Sequence, residues 1–498
     1  MFELLFIFIT TSTLFYYYLS YRRSRKRLYE LAAQIPGPFD WPLIGSAYLG
    51  ITVGPTKMCD FLVQMLHTLS SPLRAWIGPL LFVFFDKPEH LEVILNSQSC
   101  VSKSYVHRFF RFEYGLLHCA PELWRVLRKR LNPSFSSTTI KNFVPTFNVQ
   151  ADKLVQYFEA FVDREAIDLL PKVSSYTLSA ALLNLFGVNV RVNDTEYIEQ
   201  FAENAEKMWL LMFDRIYKPW YYPDFAYKLT PSYRKEKKRI HKLQQLSIEV
   251  CTARESMRLK PKQYQSDKTV PMPEILIERL ERITFETNEI NEDIMLQNVH
   301  TFLFASNDTT SNVIATTLLM MAMYPDVQDR VHKEVTHSVS NDVITIDDLP
   351  SLQYLEMVIK ESLRLVPVAS IIGRICEREL QVDNWTIPVG TEVFIPILKL
   401  HRDKSIWGQH SERFDPDNFL PERCAKRHPY AYLPFGGGIR NCIGMRYAWM
   451  SMKIALAKLI RMYEFSTELR LEDIKLIPSL VLLVANRHMM RIKRRKLR

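Results

Sequence analysis

The stretch Leu433–Trp449, LPFGGGIRNCIGMRYAW, gathers residue types that rarely meet without a purpose. The chain has 14 glycines, yet Gly436, Gly437, Gly438 and Gly444 crowd around one sulfur, Cys442. Glycine lets a backbone turn tightly and approach a flat ligand closely. The run after Cys442 reads as a helix, which sets the sulfur near a helix N-terminus, where a thiolate is favoured. Arg440, two residues earlier, supplies a fixed cation for an anionic group, and Phe435 is placed to cover the sulfur and limit water. The plainer alternative is a buried free cysteine in a glycine-rich loop.

Three further patterns carry chemistry. In FLFASNDTTS, from Phe302, a polar block with a carboxylate interrupts a long apolar helical run. Burying such groups costs free energy unless each is hydrogen-bonded, so the block is either a turn or a site. Ala305 and Thr309 lie one turn apart and share a helix face. A threonine hydroxyl at such a position can bond back to the carbonyl four residues earlier. In KESLRL, Glu361 and Arg364 sit at i, i+3 on one helical face. The same spacing at Glu122/Arg125, Glu236/Arg239 and Glu255/Arg258 reads as solvated pairs. In LWRVLRKR, Trp124 and Arg128 fall one turn apart, on what in isolation is an amphipathic basic helix.

Phe435, Gly438, Arg440, Cys442 and Gly444 match F-x-x-G-x-R-x-C-x-G, and through them the chain resembles the cytochrome P450 superfamily, microsomal type. The resemblance runs from residue 30 to 490 with motifs in the expected order. It implies a mainly α fold with small β-sheets (α+β), two lobes enclosing a haem. Cys442 would be the axial thiolate of haem b, a ligand that pushes electron density onto iron and favours O–O cleavage. Trp124 and Arg128 resemble the W-x-x-x-R of the helix that contacts a haem propionate, Arg374 in IIGRIC a second propionate partner. Glu361, Arg364 and Arg413 (from SERFDP) would form a buried structural charge triad under the haem loop.

The resemblance also resolves the polar block. Family members carry (A/G)-G-x-(D/E)-T-(T/S) on the long helix that crosses the haem, and Ala305 to Thr310 fit it, with Ser306 in place of the usual glycine. Ala305 would leave room for dioxygen, and Asp308 would reload protons through Thr309 during O–O cleavage. The surrounding text also resembles family 4, the branch known for terminal hydroxylation of fatty acids, which reads E-V-D-T-F-M-F-E-G-H-D-T-T. Here Asn298, His300, Ala305 and Asn307 replace the first Glu, the Asp, the second Glu and the His. In many relatives that second Glu forms an ester to a haem methyl; Ala305 has no group to do so, and the haem is expected to be held without a covalent link.

These residues need a body to hold them. At 498 residues the chain exceeds the size at which one hydrophobic core usually stops growing. With 47% hydrophobic and 24% charged residues it is globular. A net charge of +10 suits an anionic partner, and no nucleic-acid motif accompanies it. Seven scattered cysteines without a C-x-x-C pair argue for a reducing compartment. Most of the chain reads as helix, with strand-like text at Leu81, Leu380 and Lys475. Lys228 to Lys262 and the segment from Gln263 read as loop-like or exposed, and the aromatic run Met208 to Tyr227 as core or a membrane-facing rim.

The N-terminus carries the targeting signal. Leu4 to Ser20 is uncharged and about 26 Å long as a helix, near the lower limit for a bilayer core of about 30 Å. Arg22, Arg23, Arg25, Lys26 and Arg27 follow it, which keeps the body cytosolic and marks a retained anchor rather than a cleaved signal. The expected layout is an anchor at 1–20, a basic and Pro-rich hinge at 21–49 and a catalytic domain at 50–498. Three functions fit the resemblance. The first is a monooxygenase of the endoplasmic reticulum membrane, acting on a lipophilic substrate with electrons from NADPH–cytochrome P450 reductase and cytochrome b5. The second is a haem-thiolate isomerase or dehydratase, which needs no acid–alcohol pair; the third is a degenerate haem- or lipid-binding protein.

Overall fold

The computed structural model describes residues 2–495 apart from positions 43, 51, 70, 260–272 and 340. Its organising element is the helix Glu292–Met323, 32 residues and about 48 Å long. The Asn291 side chain caps it by accepting the Ile294 N–H at 2.9 Å, and Glu292 and Asp293 favour the positive end of the helix dipole. No glycine or proline interrupts it, and it ends at Met323, with Tyr324 as its cap ahead of Pro325. It packs against the helices Leu170–Asn184, Pro231–Leu259 and Met445–Met462, which bury most of its length. Within its polar block Ser306, Asn307, Thr310 and Ser311 are buried, and Asp308 and Thr309 are half-buried.

A four-stranded sheet forms a second lobe, ordered Leu73–Ile77, Leu80–Phe84, Glu392–Ile395, Ile372–Ile375. The middle pair is parallel and the outer pairs antiparallel. Side chains alternate between faces along a strand. Leu81, Val83 and Phe85 accordingly pack with Leu91, Ile94 and Val393 in one core, and Phe82 and Phe84 with Phe394 in another. A third and largest core surrounds the central helix. The strand-like text at Leu81, Leu380 and Lys475 does form strands. Leu73–Ile77, Ile372–Ile375 and Met489–Arg494 are strands the sequence did not mark.

In the helix Phe2–Ser24 an 18-residue stretch has mean hydropathy 1.4 and is unburied; among the described residues this helix alone is long and apolar enough to cross a membrane. Lys26–Gln34 then turns back onto the sheet lobe, burying Leu28 and Ala32. The basic stretch expected as loop-like or exposed is mostly the helix Pro231–Leu259 rather than a loop; its inner face buries Leu243, Leu246 and Val250 while its lysines stay outside, as a solvated basic face does. Most of the loop expected from Gln263 lies outside the described residues.

Candidate functional site

The cysteine loop is a closed turn. The Cys442 N–H donates to the Phe435 carbonyl at 3.0 Å, and Gly444 opens the helix Met445–Met462. Gly438 has φ +64°, and a Cβ there would run into the backbone of Leu95, so both conformation and space demand glycine. Cys442 is exposed, yet dense protein around it pushes its thiol pKa up by desolvation; the Gly444 N–H and the Arg128 guanidinium pull the other way. A sulfur that is accessible and desolvated together faces an interior cleft. Phe135 connects that cleft to the central helix: its ring lies 4.0 Å from where a Gly444 Cβ would be and stacks on Phe302 at 5.7 Å.

Arg128 lies on the helix Pro121–Leu131. Its Nη1 and Nη2 both donate at 2.7 Å to Asn441, to the backbone carbonyl and to Oδ1. That fork grips the residue beside Cys442 and ties the helix to the loop. Trp124, one turn earlier, lies beneath the Arg440 guanidinium at 4.8 Å.

A group of cations stands behind the loop. Arg440 donates Nε to the Val101 carbonyl at 3.0 Å and Nη2 to the Cys119 carbonyl at 2.8 Å, but its buried Nη1 has no partner. Arg374 sits on the strand Ile372–Ile375, bridged to Lys103 on the facing chain. Desolvation lowers its pKa to about 10, helped by repulsion from Arg440. Lys103 is held well below the usual lysine range, first by desolvation and then by Arg374 and Arg440. Among the described residues no carboxylate comes within ion-pair range of these three cations. Desolvated like charges without a counter-ion are costly. Their arrangement fits a ligand bearing two carboxylates, as a haem does.

On the central helix Ser306, Asn307, Asp308 and Thr309 of the block are all hydrogen-bonded. Thr309 Oγ1 donates to the Ala305 carbonyl at 2.6 Å and Ser306 Oγ to the Phe302 carbonyl at 2.6 Å. Asn307 Oδ1 accepts from Ser174 Oγ at 3.0 Å and Thr177 Oγ1 at 2.6 Å, both on the helix Leu170–Asn184. Asp308 Oδ2 accepts the Trp209 indole N–H at 2.8 Å, and Oδ1 the Asn307 amide at 3.3 Å. Burial raises the Asp308 pKa to about 7 against the pull of those two donors. Ala305 is exposed between buried neighbours, so the helix opens there onto the interior. The wall beside it is aromatic: Phe304 lies 5.1 Å from Phe201, 5.3 Å from Trp209 and 6.2 Å from Phe112.

Glu361 and Arg364 form a fully buried bidentate pair, both contacts 2.7 Å. Arg364 also donates to the carbonyls of His401, Ser411 and Arg413. Arg413 thus joins by its backbone, with its side chain exposed, a departure from the expected triad. Other partners take its place: Glu361 Oε1 accepts from Arg364, from the Asp415 N–H at 2.8 Å and from Asn418 at 3.2 Å. The network reaches the cysteine loop through His401, whose Nε2 accepts the Leu433 N–H at 2.9 Å. Of the other i, i+3 spacings, Glu122/Arg125 is the exposed pair expected. Glu236 is instead buried and bonded to Arg111 and Tyr227.

Lys103, Asn441 and Trp209 belong to this constellation and escaped the sequence reading. Asn441 lies inside the signature at a position the pattern leaves open. Trp209 lies in the aromatic run read as core or membrane-facing rim and Lys103 in unremarkable text, and only the fold brings them in.

Comparison with known proteins agrees with the family expected from the motifs. The cytochrome P450 family model matches residues 35–491. The chain is 28% identical over 491 residues to probable cytochrome P450 313a4 of Drosophila melanogaster, covering 97% of this chain and 98% of that protein. It is 31% identical over 463 residues to cytochrome P450 4c21 of Blattella germanica, covering 91% of each. Over 470 residues it is 31% identical to cytochrome P450 4V2 of Rattus norvegicus, covering 91% and 88% respectively.

Proposed function

This chain belongs to the cytochrome P450 family, and we propose that Cys442 supplies the thiolate for its haem b while Asp308 and Thr309 deliver protons to the reacting centre. The protein is a haem-thiolate monooxygenase. Haem held by a thiolate supplies the iron chemistry that activates dioxygen and puts one of its atoms into substrate. The observation that carries our assignment is the set of uncompensated cations, Lys103, Arg374 and Arg440, beside the Cys442 loop. They would take the two propionates, with Trp124 backing Arg440 and Phe435 shielding the sulfur. Arg128 would fix the loop through Asn441 and favour the charged sulfur. Gly438 and Gly444 let the loop turn and open into its helix.

On the opposite wall, Ala305 would keep space open while Thr309, tethered to the Ala305 carbonyl, presents its hydroxyl oxygen to a proton passing from Asp308. An acid with a pKa of about 7 is half protonated at neutral pH and suits repeated reloading. The isomerase and dehydratase readings have no use for such a pair. The aromatic wall around Phe304 suits a lipophilic substrate. Exposed Arg125, Lys129 and Arg446 near the cysteine loop would meet an acidic flavoprotein, NADPH–cytochrome P450 reductase, with cytochrome b5 as second donor.

We assign residues 1–20 as an anchor in the endoplasmic reticulum membrane, 21–49 as hinge and 50–498 as the cytosolic catalytic domain. Exposed Phe39, Trp41, Phe225 and Leu229 support contact with a lipid surface. The test is NADPH oxidation by the reconstituted holoenzyme and reductase across a panel of fatty acids and other lipophiles. Oxygenated product is expected; product formed without NADPH or reductase would refute the reading.

A further inference from the structure

We propose that Trp209 is a positioning residue for proton delivery, its indole N–H fixing which oxygen of Asp308 carries the proton and how readily it leaves. The proposal rests on the proton-delivery role assigned above to Asp308 and adds a residue from a different helix, Thr195–Tyr217. An indole N–H donates and never accepts. Asp308 Oδ2, bonded to it at 2.8 Å, accepts in both protonation states, which leaves the more weakly bonded Oδ1 as the favoured seat of the proton. Oδ1 faces the Asn307 amide at 3.3 Å, at the edge of a hydrogen bond and easily released. The Asn307 amide cannot turn round, because its own Oδ1 is held by Ser174 and Thr177. The two carboxylate oxygens are thus unequal: one anchored, one free to trade protons.

Trp209 is itself rigidly placed. It is 3% exposed, meets Phe304 edge to face at 5.3 Å and lies 5.9 Å from Phe110. The indole is neutral, so it holds the carboxyl without the strong stabilisation of the anion that a lysine or arginine would bring. The charged groups acting on Asp308 are few. Glu206, one turn before Trp209, raises its pKa and is itself bonded to Arg487 at 2.7 Å. The Leu170–Asn184 helix faces the block with hydroxyls only. Burial and Glu206 push Asp308 up, and Trp209 and Asn307 pull it down.

The decisive variant is Trp209→Phe, which keeps the ring and deletes the donor. In difference infrared titration of the holoenzyme, the carbonyl band of protonated Asp308 is assigned by its loss in Asp308→Asn. Its midpoint, near neutral in the parent, should rise by about one pH unit in Trp209→Phe. The alkaline limb of kcat should move with it while KM stays put, and Trp209→Gln, which restores an N–H donor, should return both toward the parent. An unchanged midpoint in Trp209→Phe overturns the proposal. If that variant fails to fold, the parent decides: the indole Raman band that reports N–H bonding should shift as pH crosses the carboxyl midpoint, and not in Asp308→Asn. A band that ignores pH in the parent overturns it equally. Full turnover by Asp308→Asn would remove the proton-delivery role alone, since the infrared midpoint still judges the Trp209 bond.

Discussion

Replacing Asp308 with asparagine should make the protein more stable at alkaline pH, and the structure sets the size of the effect. The carboxyl has a pKa of 3.8 when free and about 7 in the fold. Between those values, unfolding releases a proton, so the native state loses ground as pH rises. The penalty is absent below the free value, grows through the interval, and is complete above the folded value at about 4 kcal/mol. The uncharged amide of the Asp308→Asn variant would carry no such penalty. Any fixed cost of that amide, such as its NH2 facing that of Asn307, does not vary with pH and drops out of the comparison. Glu392, also raised to about 7 by burial, titrates in both proteins and cancels. The gap in unfolding free energy between variant and parent should therefore widen by about 2–3 kcal/mol from pH 5 to pH 8. In urea titrations of the two holoproteins this is a relative displacement of midpoints by roughly 1 M. Turnover should fall in the same variant, the trade of activity for stability expected of an acid kept in a desolvated place. Parallel stability profiles from pH 5 to pH 8 would refute the claim that Asp308 is held protonated near neutrality.

Three further outcomes are expected. Denaturation in acidified organic solvent should strip the haem unmodified, because Ala305 has no carboxylate to esterify; Ala305→Glu should, after turnover with reductase, leave part of it attached, read by chromatography with mass detection. Glu361→Ala should cost about 3–5 kcal/mol of stability and lower haem retention, because it strands Arg364 fully buried and unpaired; a loss below about 1 kcal/mol in denaturant titration would contradict the buried-pair geometry. Deleting residues 1–27 should weaken sedimentation with membranes, and protease added to sealed microsomes should digest the body; a protected body would invert the proposed topology.

Local chemistry was legible wherever a residue's role is set by its neighbours in sequence. Cys442 at a helix start, the glycine at 438 and the Thr309 bond to the carbonyl four residues earlier all follow from short-range spacing. The central helix was legible too, from its long apolar run. What the sequence hid is what tertiary packing decides. The spacing of Trp124 and Arg128 marks a shared helix face, yet the fork of Arg128 onto Asn441 is set by where the cysteine loop runs. Arg413 reads as a triad member, yet its side chain is exposed and Glu361 is bonded by Arg364, Asp415 and Asn418 instead. Glu236 looks like half of a surface pair and is buried, because Arg111 arrives from 125 residues away. Lys103 gains meaning only from its bridge to Arg374. The strand Met489–Arg494 lacks the β-branched text of the others and forms because Tyr463–Ser466 and Ile167–Asp168 pair with it on both sides.

Every role assigned around the cleft depends on Cys442 as the axial ligand, and the reduced carbon-monoxide complex reads that ligand directly. The parent protein should show the strongly red-shifted Soret band of thiolate ligation, Cys442→Ser should abolish it, and Cys376→Ser and Cys424→Ser should leave it intact. A Cys442→Ser protein that keeps the red-shifted band would contradict the assignment.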